Sequence, residues 1–524
     1  MKKASENTGR IARSAGLVSL AVMSSRVLGL AREQVMAALF GAGMAYDAFV
    51  VAFRIPNLLR DLFAEGALSS AFVTVFTDYD STRSKEETWR LANNVLVGIS
   101  VILSLITLVG MLFAGHLVNL IAPDFSLVSE KTELTKLLTV IMFPFLIFVS
   151  MAAVVMGILN SKGSFFIPSL ASSFFNLGSI IGGGGLALLL PKFGQPAIVG
   201  MAIGTLVGGF LQLACQVPAL RRSGFRLQPV LDWTDPGLRR VFALMLPGII
   251  GLGATQINIF VNTNFAASCV EGSVSWLNYA FRLVQFPIGL FGVAVSIATM
   301  PVIARCAALK DMQGVRETYV SSLTMAFCLT IPATVGLFCL AEPVVRVIFQ
   351  HGHFSAADTA RTAEALSFYV LGLFAYSSVK ITVPVFYALH DTKFPVIGSF
   401  LAVAANILII TQSIDAMQHK AIALATSCAM IGNFLFLSIV LYRKLEGYSL
   451  PYLGWGLLKV CVASGVMWLW LVLARGWLAG HGVSDLLGLG LMLLSGATVY
   501  GGVLYALRLH ELTVLVEKVA ARIR

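Results

Sequence analysis

The sequence predicts an all-α polytopic membrane protein with 14 transmembrane helices. We expect two six-helix lobes, related by a parallel repeat around a central cavity, plus two extra C-terminal helices. Composition, the spacing of apolar segments and an internal repeat carry this prediction. Of 524 residues, 57% are hydrophobic and 12% charged, whereas a soluble domain has about 25% charged residues. With a mean hydropathy of +0.85, the chain is unlike a soluble enzyme, a disordered scaffold or a nucleic-acid-binding protein.

Apolar segments long enough to cross a bilayer recur along the whole chain. A transmembrane helix needs about 20 mostly apolar residues, and 14 segments meet that length. The run Gly182–Gly185 inside the fifth segment predicts close helix packing. The predicted spans are 14–40, 46–77, 91–121, 134–159, 165–190, 196–219, 238–267, 273–304, 318–348, 362–389, 394–414, 419–442, 456–480 and 484–507.

Lysine and arginine are distributed unevenly between the connections of these spans. With an even number of spans and the N-terminus inside, 24 of the 37 basic residues fall on the inner side and 7 on the outer side. Basic residues are retained on the cytoplasmic side of a membrane. We therefore expect a multi-pass protein with both termini in the cytoplasm.

An internal repeat relates the first six spans to the next six. Ala52-Phe53-Arg54 corresponds to Ala280-Phe281-Arg282, and a Leu-Phe pair follows each arginine by eight residues. Because six is even, both copies enter the membrane from the same side, which is typical of lobes that rock in alternating access. The predicted domains are an N-lobe at 1–230, a C-lobe at 231–447, two added helices at 448–508 and an amphipathic tail at 509–524.

Charged side chains interrupt several predicted spans. Each costs about 2.5–3.5 kcal/mol at mid-membrane on insertion scales, so such side chains face protein or water rather than lipid. Several lie four or seven residues apart, on one helix face. These are Arg26 with Glu33, and the series Asp47, Arg54, Asp61 and Glu65.

Two interpretations of these charges stay open. Buried ion pairs between helices account for Arg54, Asp61 and Glu65 as well as a ligand does. Lys380 in the tenth span either pairs with an acid from another helix or extends to the interface.

Arginines exceed acidic residues in the first and eighth spans, and this surplus favours an anionic ligand. The eighth span contains no acid, and its Arg282 has only Gln285 nearby. Arginine binds phosphate through a planar fork of donors, so the surplus predicts a phosphate or diphosphate ligand. Ser25 and Ser275 beside the arginines either bind the same ligand or mediate helix contacts.

Two long motifs resemble one family. The segment from Ser25 to Gly29, then Arg32 and the run FGAGMAYDAFVVAFRIPNLLRDLFAEGALSSAF at 40–72, resembles the bacterial lipid II flippases known as MurJ or MviN. A second signature is SVSWLNYAFRLVQFPIGLFGVAVSIATMP at 273–301, and the similarity covers nearly the whole chain. The family belongs to the multidrug/oligosaccharidyl-lipid/polysaccharide exporter superfamily.

The resemblance implies a function in peptidoglycan and cell-wall biogenesis, and so in maintaining cell shape. It implies that the chain is not an enzyme but a transporter in the inner membrane. The transported lipid II, an undecaprenyl-pyrophosphate-linked precursor, moves from the inner to the outer leaflet. The two added helices are implied to form a groove for the polyprenyl tail, and the implied partners are lipid II, membrane lipids and a cell-wall synthesis complex. The positions implied to bind the substrate are Arg26, Arg32, Arg60, Arg282, Asp47, Ser25, Ser275 and Gln285.

One departure from the family concerns the eighth span, where relatives often carry an acid near the arginine and this chain has Phe281 and Gln285. An acid–arginine switch at this position is therefore in doubt. No organic cofactor is expected, and the energy source is either the membrane potential or an ion gradient. For sodium, the resemblance points weakly to Asp235 and Asp391.

Other functions remain as alternatives. A flippase for another polyprenyl-diphosphate-linked glycan needs the same arginines. A drug/cation antiporter of the same superfamily would instead need carboxylates and aromatic side chains in its cavity. A membrane-embedded glycosyltransferase would need a catalytic carboxylate or metal site, and a scaffold role leaves the arginines unexplained.

Overall fold

The computed structural model describes residues 2–62, 67–481 and 483–509, and in these ranges the regular structure is entirely helical. The chain divides into two compact units, Met1–Ser275 and Trp276–Arg524. The predicted tail at 510–524 and the predicted pairing residue Glu65 lie outside the described residues.

The first unit contains twelve helices within the described ranges. They are α1 (Lys2–Phe40), α2 (Met44–Arg60), α3 (Ala67–Thr82), α4 (Lys85–Leu112), α5 (Ala114–Ile121), α6 (Ser129–Met142), α7 (Phe145–Ser161), α8 (Phe166–Gly178), α9 (Gly184–Leu189), α10 (Ala197–Ala214), α11 (Val217–Arg222) and α12 (Pro236–Ala267). A π-helical segment, Ser179–Gly183, joins α8 to α9, and short 3₁₀ turns occupy Pro123–Leu127 and Leu190–Phe193.

The second unit begins inside the next helix. Its helices are α13 (Ser273–Pro287), α14 (Val293–Ala308), α15 (Met312–Cys339), α16 (Ala341–Phe349), α17 (Ala356–Val370), α18 (Leu373–Ala388), α19 (Lys393–Met417), α20 (His419–Lys444), α21 (Leu450–Ala479) and α22 (Asp485–Ala506). A second π-helical segment, Ile288–Gly292, joins α13 to α14.

Ten helical segments in the described ranges are long and apolar enough to cross a membrane, and twelve if each of two bent pairs forms one span. The bent pairs are Pro236–Ile249 with Gly253–Ala267, at 52°, and Ala356–Val370 with Leu373–Ala388, at 43°. All twelve coincide with predicted spans. The first two predicted spans are not among these twelve segments of the described ranges. The count of 14 and the two-lobe repeat therefore stay predictions.

Local sequence signals account for the helix starts. Ser84 and Glu87 form a reciprocal capping box at the start of α4, and Ser355 and Asp358 do the same for α17. The Asp235 carboxylate accepts a bond from the Leu238 amide at the start of α12. Such caps satisfy backbone N–H groups that have no partner inside the helix.

Glycines bring α10 into direct backbone contact with its neighbours. A Cβ atom added at Gly204 would lie 2.3 Å from the Cα of Gly183, and one at Gly200 would lie 2.4 Å from the Ala187 nitrogen. Small residues at a spacing of four allow this approach. At Gly185, by contrast, an added Cβ would meet nothing within 4 Å. The predicted close packing therefore applies to Gly183, and Gly185 does not take part.

Prolines inside helices free backbone carbonyls, because proline lacks an N–H group to bond the carbonyl four residues earlier. Pro384 frees the carbonyl of Lys380, which accepts a 2.7 Å bond from the Ser296 hydroxyl. Pro332 likewise provides no N–H group for the carbonyl of Cys328, and this carbonyl accepts a 2.7 Å bond from the Tyr500 hydroxyl. In a bilayer no water is available for such groups, so these bonds fix how α14, α18, α15 and α22 pack.

Candidate functional site

The predicted arginine site begins on α1, where Arg26 and Arg32 are both partly buried. Helix α8 holds this part of α1, because the Asn176 amide donates a 3.1 Å bond to the carbonyl of Ser25. The side chain of Asn176 also lies against Gly29, 3.6 Å from the position that a Cβ atom would take there. The backbone that carries Arg26 is thus fixed by a side chain that the sequence did not single out.

Two groups contact the guanidinium of Arg32, and a third supports one of them. Its Nη2 lies 2.8 Å from the Glu33 carboxylate, and its carbon lies 5.4 Å from the centre of the Phe175 ring. Glu33 is buried and accepts a 2.7 Å bond from the hydroxyl of Tyr46. A guanidinium has five N–H donors, and the Arg32 side chain keeps 16% exposure. Arg32 therefore has an accessible edge as well as a fixed direction.

On α2, Arg60 is paired with its neighbour Asp61. Arg60 donates to Asp61 Oδ1 from Nε at 3.1 Å and from Nη2 at 2.8 Å. The other oxygen of Asp61 accepts longer bonds from Asn57 at 3.5 Å and Gln256 at 3.4 Å. Both side chains are about one quarter exposed, with 23% for Arg60 and 26% for Asp61. The charge of Arg60 is partly neutralised but accessible.

Asp47 lies at the centre of a buried polar cluster with four donors. Its Oδ2 accepts from Lys131 Nζ at 3.0 Å and from the Gly272 amide at 2.9 Å. Its Oδ1 accepts from the Ser275 amide at 3.0 Å and from the Ser275 hydroxyl at 2.6 Å. The cluster joins α2, α6 and the start of α13. Lys131 also lies 4.1 Å from the centre of the Phe125 ring.

Burial limits what Asp47 and Ser275 can do in this conformation. Asp47 is 1% exposed and Ser275 0% exposed, so neither reaches a ligand without a rearrangement. Asp47 and Ser275, both implied to bind the substrate, do meet, because the amide and hydroxyl of Ser275 donate to the Asp47 carboxylate. Their contact with substrate stays a prediction.

The remaining predicted cations are found on both units. Arg54 is partly buried on α2. In the second unit, Arg282 on α13 is partly buried and donates a 3.4 Å bond to Gln285, the neighbour expected from the spacing. Lys380 on α18 is exposed, which agrees better with an extended side chain than with a buried ion pair.

The two residues named as sodium candidates, Asp235 and Asp391, form hydrogen bonds within the protein. Asp235 caps α12, as described above, and Asp391 is bonded to Lys444 and to the Lys393 amide. The bond from Lys444 is the main cause that lowers the pKa of Asp391 below its ordinary value. Among the described residues, no three His, Cys, Asp or Glu side chains are grouped as a metal site. Sodium binding stays a prediction.

Several residues of these clusters were missed by the sequence analysis. Lys131 lies in the predicted connection between the spans 91–121 and 134–159, yet its side chain is 8% exposed and pairs with a residue 84 positions away. Tyr46, Phe175 and Asn176 looked like ordinary span residues. No local pattern identifies them, because each acts through a partner on another helix.

The described arginines are suited to an anion with several oxygens. Arg32 and Arg60 each carry one adjacent carboxylate and retain donors and exposure, so an added anion can share or replace that carboxylate. Planar donors of this kind bind phosphate oxygens in pairs.

Comparisons with known proteins identify the family of this chain. The family model described as Lipid II flippase MurJ matches residues 36–496. The chain is 35% identical over 469 residues to the probable lipid II flippase MurJ of Vibrio cholerae, covering 87% of this chain and 88% of that protein. It is 33% identical over 447 residues to the lipid II flippase MurJ of Burkholderia cenocepacia, covering 84% of each.

Two solved structures are similar to this chain, one from the same family and one that shares the fold. A lipid II flippase MurJ in an inward closed conformation has a TM-score of 0.78 and 29% identity, with 92% of this chain and 97% of that chain covered. An inward-facing multidrug resistance MATE transporter of the MOP superfamily has a TM-score of 0.67 over 82% of this chain and 99% of that one. At 14% identity, the second similarity concerns the fold alone. These flippases are membrane transporters and not enzymes. Because the family model matches most of the chain, the chain belongs to the MurJ family of lipid II flippases.

Proposed function

We propose that this protein flips lipid II from the inner to the outer leaflet of the bacterial inner membrane. The observation that carries the proposal is the family match over residues 36–496. Relatives that share a third of their residues with this chain are named as lipid II flippases. The 10 to 12 apolar membrane-span candidates support a multi-pass location in that membrane.

In this proposal, Arg26, Arg32, Arg60 and Arg282 bind the diphosphate. Glu33 and Asp61 keep Arg32 and Arg60 oriented until the substrate arrives. The diphosphate then competes for the guanidinium groups through charge-assisted hydrogen bonds, which are stronger than neutral ones. A site with this surplus of cations discriminates against the cationic substrates of a drug antiporter.

Transport is proposed to proceed by alternating access of two six-span lobes, with both termini in the cytoplasm. The polyprenyl tail stays in lipid along α21 and α22. Coupling to the membrane potential suits a cationic site and an anionic cargo, and an ion gradient is the other option. Contact with a cell-wall synthesis complex is a further prediction.

Complementation tests the assignment. The chain is expressed in a bacterium depleted of its own lipid II flippase, and lipid II in the outer leaflet is measured for wild type and for Arg26→Ala, Arg60→Ala and Arg282→Ala. We expect wild type to restore flipping and each variant to abolish it at equal protein level. The exposed Arg222 supplies the control, and Arg222→Ala should behave as wild type.

Two results would contradict parts of the proposal. Normal growth of the Arg26→Ala or Arg282→Ala strain would remove the arginine site. Failure of wild type, although it reaches the membrane, would indicate another polyprenyl-diphosphate-linked glycan as cargo.

A further inference from the structure

Helices α3, α4 and α12 of the first unit enclose an apolar groove with a volume of about 160 Å³. Its floor is fully buried, with Leu68 at 1% and Leu103 at 2% exposure. At its mouth Leu246 is 62% exposed, so the groove opens to the surroundings of the protein. The lining consists of Leu68, Ile99, Ile102, Leu103, Phe242, Met245, Leu246 and Ile249.

The groove lies at membrane depth. Ile99, Ile102 and Leu103 are near the middle of α4, a 28-residue candidate membrane span. A cavity without polar groups does not hold ordered water, because water needs two to four hydrogen-bond partners. Hydrocarbon chains are the medium around the protein at this depth, and the groove is shaped to accept one.

The side chain of Arg239 belongs to the same face of α12 as the groove residue Leu246. Arg239 precedes Leu246 by seven residues, which is two helical turns or about 10 Å along the axis. Arg239 is exposed, and its Nε donates a 3.0 Å bond to the carbonyl of Trp233. No described carboxylate pairs with it, whereas the neighbouring Arg240 is paired with Asp78 at 2.6 Å. Its terminal amino groups are therefore available to an anionic ligand.

Trp233 lies beside this arginine, because its carbonyl accepts the bond from Arg239. Its indole is 44% exposed and packs near Gly98 of α4. Tryptophan is enriched at the headgroup level of membranes. Trp233 thus lies just before α12, Arg239 lies in its first turn, and the groove residue Leu246 follows two turns later.

We propose that this groove binds one glycerophospholipid, with an acyl chain against Leu103 and Leu246 and with the phosphate at Arg239. The site shares no residue with the arginines assigned to the diphosphate or with α21 and α22, so it does not depend on the proposed function. Ile249 ends the first segment of the bent pair in α12. A bound chain therefore contacts α12 directly before its bend and stabilises the conformation that contains the groove.

Native mass spectrometry of the full chain in detergent, with phosphatidylglycerol as the probe, tests the site. Leu246→Trp fills the mouth of the groove, and Arg239→Gln removes the cation. We expect wild type to retain one phosphatidylglycerol, and we expect each substitution to reduce its occupancy at least fivefold. Ile297→Trp and Arg305→Gln are matched controls, because Ile297 is 69% exposed on α14 and Arg305 is exposed. These controls should retain the lipid as wild type does.

A second measurement needs no substitution. Phosphatidylglycerol with a photoactivatable acyl chain is cross-linked to wild type, and adducts are expected within 99–103 or 242–249. Adducts elsewhere, or equal retention by all variants, would overturn the proposal. It would also be overturned if a polyprenyl phosphate displaced the probe at lower concentration than unlabelled phosphatidylglycerol, because the occupant would then be a polyprenyl chain.

Discussion

The hydroxyl of Tyr500 donates a 2.7 Å hydrogen bond to the carbonyl of Cys328, which lies four residues before Pro332, a residue with no N–H group to donate. The bond joins α22 to α15. Cys328 is buried with the apolar cluster of Val460, Ala463 and Leu504, and Tyr500 is partly buried against that cluster. A proline in one helix thus determines which residue of another helix packs against it.

Tyr500→Phe should lower the stability of the protein by about 1–2 kcal/mol, because it leaves a buried carbonyl unsatisfied. Thermal unfolding in detergent measures the change. In a Pro332→Ala background the carbonyl regains an N–H partner, and the same substitution should cost clearly less. Tyr505→Phe, at an exposed tyrosine of α22, is the control. Equal losses in both backgrounds would show that the Cys328 carbonyl is not the relevant partner.

The Asp47 cluster predicts an asymmetric result when its partners are removed one at a time. Asp47→Ala leaves the buried ammonium of Lys131 without its counter-ion, which costs about 3–5 kcal/mol. Lys131→Met should cost less, because Asp47 keeps the bonds from Gly272 and Ser275. Unfolding midpoints compare the two.

Lys136→Met serves as the control for the cluster, because Lys136 is 48% exposed and 3.6 Å from an exposed Glu133. Exposed pairs contribute about 0–1 kcal/mol, so this variant should be nearly neutral. A Lys131→Met variant as unstable as Asp47→Ala would contradict the asymmetry.

Two glycines of the same unit should respond to alanine in opposite directions. Gly204→Ala forces α10 away from the backbone of Gly183 and should destabilise the protein by about 1–3 kcal/mol. Gly185→Ala meets open space in α9 and should be neutral or stabilising by up to about 1 kcal/mol, because alanine favours the helix. Thermal unfolding of both variants measures this, and a stable Gly204→Ala protein would contradict the close approach.

Tyr46 is expected to act on transport through Glu33 and Arg32. Tyr46→Phe removes a 2.7 Å bond to the buried carboxylate of Glu33 and so loosens the partner that orients Arg32. We expect outer-leaflet lipid II to fall several-fold in the complementation assay while the protein level is unchanged. Tyr387→Phe, at a half-exposed tyrosine of α18, is the matched control. Wild-type flipping by Tyr46→Phe would show that Arg32 needs no such support.

Composition and hydropathy were enough for the helical class and for twelve apolar segments of the described residues, whereas the family followed from the two long motifs at 25–72 and 273–301. Membrane spans can be predicted from sequence because each helix satisfies its backbone internally and must be apolar over its whole length. The arginines of the candidate site were also visible, since charges inside apolar segments are costly and therefore conspicuous.

The partners of those charges required the folded chain. Spacing suggested a stripe from Asp47 to Asp61 along one helix, but Asp47 bonds Lys131 and Ser275, which lie 84 and 228 positions away. Tyr46 with Glu33, Tyr500 with Cys328, and the groove beside Arg239 are likewise products of packing. A helix repeats every 3.6 residues and reports only which side chains share a face. Which face meets which neighbour depends on contacts between distant segments, and these leave no periodic pattern in the sequence.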